Sequence, residues 1–247
     1  MAPHRLVLLL ACGLALARVP AALAADLSQA DSLIAQGNQL DNQGDHDGAI
    51  ADYTQAMGFG DEYEARLDRA VSYANSGHFA QAFQDLDRAQ VLKPADSSPL
   101  SARYWFDFEL YQFPAVIGTV NKLAGMKPDD PYAPLLSFIA ASRLGKNANA
   151  DLAKTLTPHS ENEWPQAAAQ MFLGKVTPDQ LLQWVEEVGD PQASCEAPFY
   201  VGEYFIIHNQ PTLAQTALQQ TERDECRPLM EYYAARGELA SLSNGTQ

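Results

Sequence analysis

The stretch GNQLDNQGDHDGAIADYTQA (37–56) returns in register as AVSYANSGHFAQAFQDLDRA (70–89), and this pair of segments decides the fold. Gly37, Gly44, Ala49, Tyr53 and Ala56 recur as Ala70, Gly77, Ala82, Leu86 and Ala89, each 33 positions later; Leu40 answers to Tyr73, and the second copy ends at Pro94. Small and large apolar residues at these offsets describe two antiparallel helices that turn at Gly44 or Gly77. The small residues mark where the helices touch and the large ones fill the gaps between them.

A helix-turn-helix unit of this period resembles the tetratricopeptide repeat. The pattern predicts a first hairpin from Ser32 to Met57 and a second from Tyr63 to Lys93. A third, more degenerate unit runs from Ser101 to Gln112, turns at Pro114 and returns from Ala115 to Met126. Its exit, Lys127-Pro128-Asp129-Asp130-Pro131, is a strong linker signal, and Pro128 falls 34 residues after Pro94. The pattern weakens beyond Gly145. It revives with Thr177 as an N-cap and Pro178 in the first turn of a helix that ends at Gly189. A final unit carries Tyr200, Gly202, Tyr204 and Ala214, and a last helix is expected from Pro228 to about Leu242, with a frayed tail over 241–247. No strand-like run stands between turn signals, so the expected fold is all-α: a right-handed solenoid of about six antiparallel helical hairpins over residues 25–240.

Residues 1–24 read as a secretory signal peptide. His4 and Arg5 precede an apolar run from Leu6 to Ala17, Pro20 breaks the helix, and Ala22-Leu23-Ala24 offers a cleavage point before Ala25. Leu9-Leu10-Ala11-Cys12 offers a second reading, a bacterial lipid-attachment box, and contact with a membrane is expected only if Cys12 is lipidated. The expected location is periplasmic or secreted. The net charge of −15 repels nucleic acid and anionic headgroups, so nucleic acid is not an expected partner.

With Cys12 in the leader, Cys195 and Cys226 remain, an even number for an oxidising compartment. The start of one helix and the end of its antiparallel partner lie side by side, which brings the two thiols within bridging distance. Closing a loop of this length contributes roughly 3–4 kcal/mol on the chain-entropy model. A redox-active pair is the rival reading, against which stand the lack of CxxC spacing and of a neighbouring cation to lower a thiol pKa.

Catalytic and cofactor signatures are missing: there is no HExxH, no GxSxG and no glycine-rich phosphate loop. The five histidines lack partners at metal-ligand spacing, and Asp45-His46-Asp47-Gly48 lacks the terminal carboxylates of a calcium loop. The chain therefore reads as a binding protein rather than an enzyme, with no cofactor and no metal.

In stacked hairpins the first helix of each unit lines the concave side. That projection places Asn38, Asp41, Asn42, Leu67, Val71 and Asn75 there, followed by Ser101, Trp105, Phe108 and Glu109, then Tyr132, Leu135 and Ile139. Trp105, Phe108 and Tyr132, rimmed by Glu109 and Asp107, form the expected partner-binding patch. Tyr104-Trp105-Phe106 has a second reading, as core packed against the next hairpin.

The order Pro128-Asp129-Asp130-Pro131-Tyr132, Glu163-Trp164, Phe172-Leu173-Gly174, Leu181-Leu182, Phe199-Tyr200-Val201-Gly202-Glu203-Tyr204 resembles the NlpI-type periplasmic tetratricopeptide proteins. That resemblance implies an envelope adaptor that docks a processing protease onto substrates such as murein hydrolases, scaffolds murein synthases and forms a homodimer. A different reading of the same scaffold is a self-assembling part of an envelope export or polysaccharide-secretion machine.

Overall fold

Six helix pairs are each closed by the same backbone turn. In every one the chain leaves the first helix through a residue of positive φ: Gly44 (84°), Gly77 (81°), Tyr111 (56°), Gly145 (69°), Gly174 (70°) and Asn209 (57°). The next residue then donates its N–H to the carbonyl five positions back: Asp45 to Leu40, His78 to Tyr73, Gln112 to Asp107, Lys146 to Ala141, Lys175 to Gln170 and Gln210 to Phe205, all at 2.7–2.9 Å. This is the left-handed helix cap that satisfies terminal carbonyls. Its recurrence at 44, 77, 111, 145, 174 and 209 sets intervals of 33, 34, 34, 29 and 35 residues.

The computed structural model describes residues 21–60, 62–156 and 163–245. Residues 1–20 of the expected leader, with its lipid-box cysteine, and the last two residues of the expected tail lie outside them, while residues 21–24, which hold the expected cleavage point, open the first helix. Among the described residues there are thirteen α-helices and no strand. The pairs are α1 (Ala21–Asn42) with α2 (His46–Ala56), α3 (Glu62–Asn75) with α4 (Phe79–Leu92), and α5 (Ser98–Glu109) with α6 (Phe113–Ala124). They continue as α7 (Ala133–Arg143) with α8 (Asn149–Thr155), α9 (Gln166–Phe172) with α10 (Pro178–Val188), and α11 (Pro191–Ile207) with α12 (Pro211–Gln219); α13 (Met230–Asn244) stands alone. Among the described residues no helix is long and apolar enough to cross a membrane.

Local chemistry sets the boundaries. Asp45 accepts from the Gly48 amide at 3.0 Å to start α2. Asp130 accepts from the Tyr132 and Ala133 amides ahead of α7, at 3.1 and 2.9 Å. Thr177 and Gln180 exchange side-chain and backbone bonds at the head of α10, at 3.2 and 2.9 Å. Several boundaries differ from the sequence reading, among them the start of α1 at Ala21, eleven residues ahead of Ser32. The third turn is at Tyr111, and Pro114 sits in the first turn of α6, where a missing N–H costs nothing. Helix α11 reaches back past Cys195 to Pro191, and α13 runs on through the residues expected to fray, to Asn244.

The small-large pattern works as read. A Cβ on Gly37 would lie 2.6 Å from the Tyr53 ring, and one on Gly202 would lie 2.5 Å from Leu218, so in the first and last pairs the helices meet at a glycine sixteen residues before a buried large side chain. Ala70 and Leu86 occupy the same two places in the second pair, and both are buried. One large core then runs from α3 to α13, with a smaller one between α1, α2 and the start of α3.

The packing does not stop at neighbours in sequence. Helix α11 touches α7, α9 and α13, and α13 touches α5. The turn before α13 reaches the first pair, where Arg227 donates to the Gln43 carbonyl at 2.9 Å. Tyr233 of α13 meets His46 at 3.4 Å.

Candidate interaction site

Trp105 and Phe108 do face inward from α5, but that face is occupied. Phe199 of α11 lies against both, with ring centroids 5.8 and 5.9 Å away. Trp105 is 6 % exposed and Phe108 1 %. Trp105 and Phe108 are therefore core, and the correction has a physical cause: the Phe199 ring of α11 fills the place expected for a bound segment. Leu135 and Ile139 of the same projected face are also buried.

Glu109 and Tyr132 are less enclosed. Glu109 ends α5, half-buried, with Oε1 shut away from any donor. Burial pushes its carboxyl up to about 8. Tyr132 is half-buried ahead of α7, and its hydroxyl accepts from Gln192 Nε2 at 2.9 Å. Gln192 also donates to Glu196 Oε1 at 2.7 Å, and Trp164 Nε1 donates to Glu196 Oε2 at 2.5 Å. Tyr132 thus belongs to a polar cluster with Glu196, away from the Trp105 and Phe108 rings.

On the first pair, Asn38 accepts from the Tyr53 hydroxyl at 2.6 Å. Asp41 takes the Ser72 hydroxyl and His46 Nδ1, both at 2.7 Å. Serine, aspartate and histidine meet here in the wrong order for nucleophile activation: the carboxylate sits between the hydroxyl and the imidazole, and His46 Nε2 faces Tyr233 instead. The group is a clamp between α1, α2, α3 and α13.

Cys195 and Cys226 are bridged, with Cα atoms 5.4 Å apart. The bridge joins α11 to the short 3-10 turn at Asp224–Cys226 that leads into α13. Proline at position 198 deprives the Ser194 carbonyl of its helical donor. Arg223 Nη2 supplies one at 2.6 Å and lies 3.7 Å from Cys195 Sγ. This corrects the expectation that no cation neighbours the pair: Arg223 stands only three residues before Cys226 in the sequence.

Among the described residues several open clefts remain, two of which bear on the expected patch and on α13. The larger, about 760 Å³, lies where α4, α5 and α6 meet and is lined by Arg103, Asp107, Gln112, Lys122 and Met126 among others. Asp107 forms part of its wall, nearly buried, with Thr119 donating at 3.3 Å and burial raising its carboxyl above the ordinary range. Arg103 pairs with Asp87 and lies 4.9 Å from the Phe83 ring centroid, leaving Lys122 at the exposed rim. The second cleft, about 610 Å³, is lined by Tyr111, Phe113, Arg143 and the Gly237, Ala240, Ser241 and Asn244 face of α13. At its wall Arg143 lies 5.1 Å from the Phe113 ring centroid and is held by Glu203 and Glu238 at 3.1 and 3.0 Å. Among the described residues no group of histidine, cysteine and carboxylate side chains is arranged to hold a metal ion. No protein-family model matches the chain, and no curated protein matches it either.

Proposed function

We propose that this chain is a periplasmic scaffold of the tetratricopeptide type, a right-handed solenoid of six helical hairpins capped by α13, that brings other proteins together at the cell envelope. One observation carries the reading: a single left-handed turn recurs six times at nearly constant intervals. Stacked units of that kind build an extended surface, and two proteins held on it meet at a raised effective concentration.

The surface offered to a partner is the cleft among α4, α5 and α6, not the Trp105 and Phe108 face. It combines apolar walls with a cation at its rim, Lys122, on a chain whose net charge is −15. A processing protease and the murein hydrolases or synthases are the partners this reading proposes, with homodimerisation doubling the number of docking surfaces.

The test is crosslinked capture from envelope extract with the chain and its Lys122→Glu/Met126→Asp variant side by side. Capture of a processing protease or a murein enzyme by the native chain, lost with the variant, supports the reading. Equal capture by both forms, or recovery of the bait alone, refutes it.

A further inference from the structure

Helices α11 and α13 carry matching acids. Glu196 and Glu203 stand seven residues apart on α11, and Glu231 and Glu238 stand seven apart on α13. Seven residues is two turns, so each helix presents both acids on one face. All four are buried, at 2, 0, 4 and 2 % exposure. The helices pack together with the acids in register. Arg143 of α7 bridges Glu203 and Glu238 at 3.1 and 3.0 Å, which sets the two carboxyls side by side. Two turns earlier, Glu231 lies within reach of the Glu196 charge and accepts from the Tyr200 hydroxyl at 3.1 Å.

The two rungs differ in what surrounds them. Arg143 serves the first, with Tyr111 from the α5–α6 turn close to both its acids. Around the second stand Tyr104 of α5, Tyr132 ahead of α7, Trp164 ahead of α9, and Gln192, Asp190 and Tyr200 of α11. Those neighbours are neutral donors or acids, and α12, which also packs on α13, carries no charged side chain. Buried carboxylates facing each other without water or a cation repel strongly, and one proton per pair converts repulsion into a hydrogen bond.

We propose that α13 is a proton-locked clasp: it stays docked on α11 while the buried acids that the single Arg143 cation cannot offset keep their protons, and it lifts when they ionise, uncovering the face of α5 and α11 beneath. Opening releases those protons to solvent. The Cys195–Cys226 bridge keeps the segment before α13 fastened to α11, so the helix hinges near Leu229 and does not leave. Burial raises all four carboxyls above the ordinary range, to about 8 for Glu203 and Glu231. Raised acids in the docked state mean that docking is strongest below the ordinary carboxylate range and weakens as pH climbs towards 8.

The experiment is amide hydrogen exchange on the full chain at pH 5.5, 7 and 9, corrected for intrinsic rates, comparing residues 231–244 with α3 and α4. The expected result is a fall in α13 protection of at least tenfold from pH 5.5 to 9, with α3 and α4 unchanged. In the Glu196→Gln/Glu231→Gln variant, where a neutral amide replaces each acid of one rung, the fall should shrink to less than half its logarithm. Should that variant fail to fold, the native profile decides by itself. A flat α13 profile, a fall shared equally by α3 and α4, or a variant as pH-dependent as the native chain overturns the proposal.

Discussion

Replacing Gly202 with alanine tests the small-large contact that spaces the helices. The added Cβ would lie 2.5 Å from both Cγ and Cδ2 of Leu218. Carbon atoms prefer about 3.5–4.0 Å, so roughly 1 Å of movement is needed. Leu218 is completely buried, and its Cγ is one bond from the Cβ anchor, so the side chain cannot simply swing away. Overpacking of this kind costs about 1–3 kcal/mol. Alanine returns up to about 1 kcal/mol through its better helix propensity, leaving a net loss of roughly 1–2 kcal/mol. For a chain of this size that is a fall in Tm of about 2–8 °C. Urea unfolding followed by far-UV circular dichroism measures it. Leu218→Ala alone should cost about 2–5 kcal/mol, and the double variant should cost at least about 1 kcal/mol less than the sum of the singles, because the clash has gone. Gly118→Ala in α6 is the control: nothing lies within 4 Å of its Cβ position, and it should be neutral or stabilising by up to about 1 kcal/mol. A Gly202→Ala chain as stable as the native one, or strictly additive costs in the double, would refute close contact as what fixes the α11–α12 spacing.

Trp105→Ala should lower stability by about 3–5 kcal/mol in the same unfolding assay, since its ring fills the space between α5 and Phe199; an unchanged urea midpoint would return Trp105 to the surface. Cys195→Ala/Cys226→Ala should cost about 3–4 kcal/mol from a loop spanning 31 positions, and a midpoint equal to that of the oxidised native chain would contradict this. Arg143→Met should destabilise by about 3–5 kcal/mol at pH 8, where Glu203 and Glu238 lose their counter-charge, and by less than half of that at pH 5, where both take up protons. Equal losses at the two pH values would show that Arg143 acts by packing alone.

The first two helix pairs were legible because Gly37, Tyr53, Ala70 and Leu86 meet in the structure as their spacing implies. The third turn was misplaced for a stated reason. Tyr111 adopts the positive φ that glycine supplies elsewhere, and no sequence rule reads tyrosine as a turn residue, whereas Pro114 reads as one. Helices α8 and α9 are seven residues each, less than two turns, so they are too short to show a period. The inward direction of Trp105 and Phe108 was readable from helical phase. What covers them was not, because Phe199 reaches them from more than ninety residues along the chain. The paired acids of α11 and α13 are visible in sequence as Glu196, Glu203, Glu231 and Glu238, but seven-residue spacing of glutamate is also what a solvated helix face looks like.

The meeting of α13 with the first turn changes the order in which the molecule can be completed. Tyr233 and His46 are separated by 187 residues, and Arg227 reaches the Gln43 carbonyl over a similar span. Contacts this distant in sequence are the last to form, because the intervening chain must be ordered or its closure entropy met first. A chain emerging N-terminus first therefore holds its earliest hairpin incomplete, with Asp41 and His46 waiting, until nearly the final helix has followed. Truncation ahead of Arg227 would remove both contacts and be felt at the opposite end of the chain, at Gln43 and His46.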